Sequence, residues 1–316
     1  MQSKNISFWK LQSNTWEVTT IASNKRYLLA IIPVLAVIGA VLFKNTKSRQ
    51  TVEDVDEIEY ELNLTKKMDG YNYANPITVT YYSDVADADR QAMVFLPEDY
   101  TVEKQYPVLY LFHGLNGNYE SWSIKGADVL LQNLYNQGEA TEMIVVCVDS
   151  SVGADNKVRW SNERKAAKAY DLTAIDTVQS LMPYINAHYS VKTGRENTAV
   201  AGYSMGGRNA IYTAFTYPDT FGYVGAFSTE YVVDYGESPN KLEPLLYDLS
   251  LPSDVEPFEL IMLCVGRDDN DCGIVSYDLK RYMENHNIDH IFYEFDGGHE
   301  SKVWQRSLLH FAKNIF

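Results

Sequence analysis

The chain has 316 residues, 46% of them hydrophobic and 22% charged, so most of it can fold around a core. The net charge of −15 is uneven: residues 1–50 carry seven basic and one acidic side chain, and residues 51–316 carry 20 basic and 41 acidic. A body this acidic repels phosphate, which argues against nucleic acid as a partner. Three cysteines are too few for a disulfide framework.

Residues 27–43 form an uncharged run of 17 residues, at the short end of the length that spans a bilayer as a helix. A buried core helix and a cleaved signal peptide are the alternatives, but basic residues flank the run and Ile38 stands where a cleavage site before Ala40 needs a small residue. We therefore expect an uncleaved transmembrane signal anchor that follows a short cytoplasmic segment over 1–26. Four basic residues precede the run and three follow it, which predicts a single-pass cell-membrane protein with its body extracellular.

The polar residues 44–70 are interpreted as a linker, and residues 71–316 as one domain. In that domain short β-branched or apolar runs alternate with helical patterns, which predicts an α/β fold with a mostly parallel, doubly wound sheet. The expected strands cover 77–82, 92–96, 108–112, 143–148, 197–203, 223–227, 260–265 and 291–295. The expected helices cover 123–137, 172–188, 208–217, 278–285 and 302–315. Residues 230–257 contain four prolines and predict an insertion over one end of the sheet.

Residues 202–207 read Gly-Tyr-Ser-Met-Gly-Gly, between an apolar strand and a helical run. In this context the pattern is typical of a nucleophile elbow, a sharp turn that exposes Ser204 at the carboxyl edge of the sheet. A serine N-cap in a tight turn is the alternative, but it does not explain the second glycine. A serine hydroxyl needs a base and an orienting acid to become a nucleophile.

The expected chain order is serine, then acid, then histidine. His299 lies in a glycine-containing loop after the last strand and before the terminal helix, which predicts that it is the base. The acid should follow the preceding strand, where Asp268, Asp269 and Asp271 compete.

An oxyanion hole needs two backbone N–H groups that point at the developing alkoxide. One is expected from Met205, which follows the nucleophile. The other is expected from Leu115, in the loop after the central strand. His113 in the same loop is interpreted as a structural histidine rather than a proton carrier.

Four stretches carry a family resemblance: PVLYLFHGLNGNYESW, SLMPYINAHYSVKTGRENTAVAGYSMGGRNA, VGRDDND and GGHESKVW. Together they resemble the esterase D and feruloyl esterase branch of the α/β-hydrolases, and most of all the feruloyl esterase modules of bacterial xylanases. The resemblance implies the α/β-hydrolase fold and selects Asp269 as the acid. It also implies Ser204 as nucleophile, His299 as base, and Leu115 and Met205 as oxyanion donors, with no metal or organic cofactor.

The expected reaction is hydrolysis of a carboxylic ester through an acyl-enzyme, on feruloyl or acetyl esters of cell-wall polysaccharide. Transfer of an acyl group to a sugar, as in mycolyltransferases, and a non-enzymatic surface-binding module are the alternatives. Trp122, Trp160 and Tyr231 are candidate pocket residues because they lie in loops at the active edge of the sheet.

The anchor predicts a fractionation result. Full-length protein should stay with membranes after high-salt and carbonate washes, because an apolar span is not released by disrupting charge contacts. A version that begins at Thr51 should remain in the supernatant. Immunoblotting of both fractions measures this, and a mature form that begins near Val41 would show cleavage instead.

Overall fold

The structure is a computed structural model that describes residues 55–153, 163–230 and 256–316. The chain divides into two units, 1–47 and 48–316, and all described residues lie in the second. The predicted anchor over 27–43, Trp160, Tyr231 and most of the predicted insertion over 230–257 lie outside the described residues.

The described strands are β1 (Ile77–Ser83), β2 (Ala88–Phe95), β3 (Val108–Phe112), β4 (Ile144–Val148), β5 (Thr198–Tyr203), β6 (Tyr223–Phe227), β7 (Leu260–Gly266) and β8 (Ile291–Phe295). The described α-helices are α1 (Val55–Asn63), α2 (Ser121–Ile124), α3 (Ala127–Gln137), α4 (Glu163–Asp176), α5 (Met182–His188), α6 (Met205–Thr216), α7 (Gly273–Asn285) and α8 (Ser301–Ala312).

The eight strands form one sheet in the order β1-β2-β4-β3-β5-β6-β7-β8. The β1–β2 and β2–β4 pairs are antiparallel, and every later pair is parallel. The predicted α/β fold with a mostly parallel sheet is therefore confirmed. Parallel strands end at one edge of the sheet, so the loops after β3, β5, β6, β7 and β8 meet there.

Helices cover both faces of the sheet, and alternate strand residues supply two separate cores. On one face, Leu109 and Leu111 of β3 contact the core that includes α3 and α8. On the other face, Val108, Tyr110 and Phe112 of β3 lie in the core that includes α5, α6 and α7. The central strands are fully apolar because both faces are buried.

The helix predicted over 172–188 begins earlier and contains a π-helical turn at Thr177–Leu181. Pro183 lies in the first turn of the next segment, α5. It has no N–H to donate to the carbonyl four residues back, and its ring crowds that carbonyl, so the helix widens before it.

The linker interpretation of residues 44–70 is wrong for its second half. Leu64 is 1% exposed and lies in the core with α3 and α8. The Asn133 side chain donates to the Leu64 and Lys66 carbonyl oxygens at 2.7 and 2.9 Å, which fixes the chain after α1 against α3. The polar surface of α1 resembles a linker in sequence, but its other side docks on the domain.

Glu61 on α1 is buried against α8. Its carboxylate lies 2.5 Å from Arg306 Nε and 2.8 Å from His310 Nε2. Burial raises the pKa of Glu61, but the hydrogen bonds and charges of His310 and Arg306 outweigh it and bring the pKa below its usual value. The ion pair therefore contributes fully above the ordinary carboxyl pKa and is lost as the pH falls through the lowered one.

No helix within the described part of the chain is long and apolar enough to cross a membrane. The segment predicted as an anchor lies outside the described residues.

The contact between α1 and α8 predicts that substitutions of two glutamates on α1 differ in their effect on stability. Glu61→Ala should lower the free energy of unfolding by about 3–5 kcal/mol, because it leaves the buried Arg306 without this carboxylate. Glu59 is exposed, so Glu59→Ala should stay within about 0.5 kcal/mol of wild type. Urea unfolding curves measure both, and equal midpoints for the two variants would contradict the docked position of α1.

Candidate active site

Ser204 lies at the sharp turn between β5 and α6. Its backbone has φ +56° and ψ −124°, a sparsely populated conformation for a residue with a side chain. The Ser204 N–H donates to Phe227 O at 2.9 Å, and its carbonyl accepts from the amides of Arg208 and Glu230 at 3.2 and 3.1 Å. These bonds from neighbouring elements hold the strained turn in place.

The glycines around Ser204 are required by close backbone contacts. A Cβ on Gly206 would lie 2.4 Å from Phe112 O, and one on Gly202 would lie 2.4 Å from the Gly206 carbonyl. Any side chain at either position would force α6 away from β3. This is the physical reason for the second glycine, which a simple serine cap does not need.

His299 lies within hydrogen-bonding distance of Ser204, and Asp269 lies within hydrogen-bonding distance of His299 on its other side. His299 Nε2 is 2.9 Å from Ser204 Oγ, and His299 Nδ1 is 3.0 Å from Asp269 Oδ2. The Asp269 side chain is fully buried, and 17% of the His299 side chain is exposed. The loops after β5, β7 and β8 thus bring these three side chains together.

Only one of the three competing aspartates faces His299. Asp269 Oδ1 accepts the amides of Asp271 and Cys272 at 3.1 and 2.8 Å, which turns Oδ2 towards the imidazole. Asp268 and Asp271 are exposed. Burial raises the pKa of Asp269, but the hydrogen bonds from His299 and the Cys272 amide outweigh it, so the net pKa is lowered and the group is a carboxylate at neutral pH.

The chain segments that carry the two predicted oxyanion donors lie beside Ser204. Met205 is the first residue of α6, so its N–H has no acceptor within the helix. In the loop after β3, the Asn116 amide donates to Tyr170 Oη, and no backbone hydrogen bond between described residues uses the Leu115 amide. A Cβ on Gly114 would lie 3.2 Å from Ser204 Cβ, so this loop runs directly against the elbow.

His113 is buried and links that loop to the end of β4. Its Nε2 accepts the Ser150 amide at 2.8 Å, so Nδ1 carries the proton and donates to Gly114 O at 2.6 Å. Both ring nitrogens are engaged with backbone groups, which is the structural role expected for this residue.

The pocket assignment of Trp122 is corrected by the structure. Trp122 is 1% exposed, its indole N–H donates to Phe112 O at 3.0 Å, and its ring meets Tyr203 edge to face at 5.0 Å. It is a core residue beneath the elbow, because its N–H finds a backbone acceptor inside the domain.

An aromatic stack behind His299 was not predicted from the sequence. The His299 and Trp304 rings meet edge to face at 5.1 Å, and Trp304 stacks on Tyr203 at 4.2 Å. The ammonium of Lys125 lies 4.9 Å from the centre of the Tyr203 ring. The five-residue spacing from His299 to Trp304 places the indole on the first turns of α8, beside the imidazole.

Cys272 also lies next to His299, and Glu230 contacts Cys272. The Cys272 thiol donates to Glu230 Oε2 at 3.2 Å, and Sγ lies 3.9 Å from His299 Nε2. Burial raises the pKa of the Cys272 thiol well above its usual range, and the negative charge of Glu230 raises it further. All three cysteines are free thiols. Glu230 was not predicted, although its position after β6, beside the nucleophile strand, is the signal that could have identified it.

Comparison with known proteins supplies the family. The Esterase family matches residues 83–315, which include all of the site. The chain belongs to the Esterase family. With the fold described above, the similar proteins below support a feruloyl esterase-like family for this domain.

Two curated relatives and one solved structure illustrate the similarity. An endo-1,4-beta-xylanase/feruloyl esterase of Xylanibacter ruminicola is 32% identical over 164 residues, which cover 50% of this chain and 22% of that enzyme. An acetyl esterase of Caldicellulosiruptor saccharolyticus is 23% identical, and the match covers 72% of this chain and 93% of that esterase. A ferulic acid esterase of Anaeromyces mucronatus, solved with ferulic acid, is 29% identical, with a TM-score of 0.72 over 80% of this chain and 95% of that one.

Proposed function

We propose that the protein hydrolyses carboxylic esters with Ser204 as nucleophile, His299 as general base and Asp269 as the orienting acid. The continuous hydrogen-bonded line from Ser204 Oγ through His299 to Asp269 Oδ2 carries this proposal. Asp269 holds the Nδ1–H tautomer of His299, so that the lone pair of Nε2 points at the serine hydroxyl.

In acylation, Ser204 Oγ attacks the ester carbonyl carbon while His299 Nε2 takes the serine proton. The Leu115 and Met205 amides donate to the oxygen that becomes an alkoxide. His299 then gives the proton to the leaving alcohol oxygen, and the acyl group stays on Ser204. Water then gives a proton to His299 Nε2 and attacks the acyl carbon; the bond to Ser204 Oγ breaks, Oγ takes the proton back from His299, and the carboxylic acid leaves.

The substrate class is proposed from the relatives. One relative carries feruloyl esterase in its name, another is an acetyl esterase, and a similar structure holds ferulic acid. These support feruloyl or acetyl esters on cell-wall polysaccharide as substrates of this chain. We further propose that residues 27–43 anchor the domain at the outer surface of the cell membrane, as their uncharged, basic-flanked sequence suggests.

The nucleophile is tested by covalent labelling. Ser204→Ala should abolish labelling by a fluorophosphonate, because no other hydroxyl is activated by His299 in the proposal. The variant should keep a wild-type circular dichroism spectrum. Undiminished labelling of the folded variant would remove Ser204 from the mechanism. In a separate experiment, hydrolysis rates of wild type on methyl ferulate and p-nitrophenyl acetate rank the two acyl groups.

The orienting acid is tested against its neighbours in the same loop. Asp269→Asn should lower kcat by roughly 10³ to 10⁴, because an amide favours the wrong imidazole tautomer. Asp268→Asn and Asp271→Asn are matched controls and should stay within about tenfold of wild type, because solvated carboxylates contribute little. Rates for all three on one activated ester decide between them, and a collapse in either control with Asp269→Asn near wild type would shift the acid to that residue.

A further inference from the structure

Two hydrogen bonds hold the imidazole of His299, but they do not fix its tilt. Nε2 is 2.9 Å from Ser204 Oγ, and Nδ1 is 3.0 Å from Asp269 Oδ2. These bonds locate the two nitrogens and leave the ring able to rotate about the line that joins them. Because the lone pair of Nε2 lies in the ring plane and off that line, such a rotation turns it away from the serine hydroxyl and weakens the hydrogen bond.

The indole of Trp304, on α8, supplies a contact that depends on this tilt. The Trp304 and His299 rings lie 5.1 Å apart between centroids, with 80° between their planes. Aromatic rings favour such an edge-to-face arrangement, and the contact is lost when either plane rotates. The indole therefore favours one orientation of the imidazole plane.

Trp304 is itself held by rings that reach into the core. It stacks on Tyr203, with 4.2 Å between centroids and 19° between planes, and Tyr203 directly precedes Ser204. From below, Trp122 meets Tyr203 edge to face at 5.0 Å. The Lys125 ammonium lies 4.9 Å from the Tyr203 centroid and 5.4 Å from that of Trp304, which adds a cation–π contact to both rings. The stack thus connects the nucleophile strand to the base.

The indole N–H of Trp304 makes no hydrogen bond that would explain the residue. Nε1 is buried and has no acceptor among the described residues. A buried tryptophan usually has one, as Trp122 has in Phe112 O. An unpaired buried donor lowers stability, so an apolar side chain would serve the fold as well. The contribution of Trp304 therefore comes from its ring contacts, of which the one with His299 reaches the site.

We propose that Trp304 is a positioning residue for the hydrolysis, which holds the His299 imidazole at the tilt that points Nε2 at Ser204 Oγ. This role rests on the proposed function, because Trp304 acts only through His299 as the base. It serves the proton transfer and not the binding of the ester. Its loss should therefore lower kcat and leave KM nearly unchanged.

The role is tested by kcat and KM of full-length variants on one activated ester. Trp304→Leu should lower kcat at least about tenfold, because general-base catalysis depends on alignment, and Trp304→Phe, which keeps a ring, should stay within about threefold. Leu309, 1% exposed on the same helix, is the control: Leu309→Ala should lower the urea midpoint but keep kcat within about twofold of wild type. A wild-type kcat in Trp304→Leu, or a raised KM alone, would overturn the proposal.

A double-mutant comparison separates positioning from effects that bypass His299. In a His299→Ala background, Trp304→Leu should change the residual rate by less than about twofold, because no imidazole is left to position. An equal loss in both backgrounds would overturn the proposal and leave the proposed function standing. A wild-type rate in His299→Ala alone would instead refute His299 as the base, and the positioning role with it.

A second variant covers the case in which Trp304→Leu does not fold, as judged by circular dichroism. Trp304→Phe is then compared in the same two backgrounds. A kcat near wild type, or a loss that occurs only when His299 is present, supports the positioning role. A loss that persists in His299→Ala overturns it.

Discussion

The backbone at Ser204 can turn at a positive φ only because three neighbours carry no side chain. Gly202 and Gly206 let β5, α6 and the end of β3 approach within contact distance, and Gly114 lets the next loop lie against the serine. The strain, of order 1–3 kcal/mol, is held by backbone hydrogen bonds from β6 and α6. Those same contacts bring the loops after β3 and β6 to Ser204, so the turn also determines where the Leu115 amide segment and Glu230 lie.

The strands and the nucleophile turn could be predicted because their signals are local. Uninterrupted apolar runs identify strands that are buried on both faces, and the glycine spacing around Ser204 identifies the turn. The local sequence does not decide among Asp268, Asp269 and Asp271, because these carboxylates of one loop differ only in the direction in which each side chain points. The family resemblance selects Asp269. In the structure, two amides of the following turn hold its carboxylate so that Oδ2 faces His299.

Two features escaped prediction because their partners are distant in sequence. Trp122 occupies a loop near the active edge, but its indole finds the Phe112 carbonyl and turns into the core. In the sequence, Glu61 looks like any solvated glutamate of a polar helix. In the structure it pairs with Arg306, 245 residues later in the chain. A side chain that is buried because it pairs with a residue distant in sequence leaves no periodic pattern in the sequence.

The docking of α1 has a mechanical consequence. Tension applied upstream of Val55 reaches α1 before any strand, since the first strand begins at Ile77. The load falls on the buried Leu64 side chain, the Asn133 hydrogen bonds and the Glu61–Arg306 pair. These would yield one after another and lengthen the chain by the residues between α1 and β1, while the sheet and Ser204 stay intact. The released segment would thus extend under load before the fold of the hydrolase domain is disturbed.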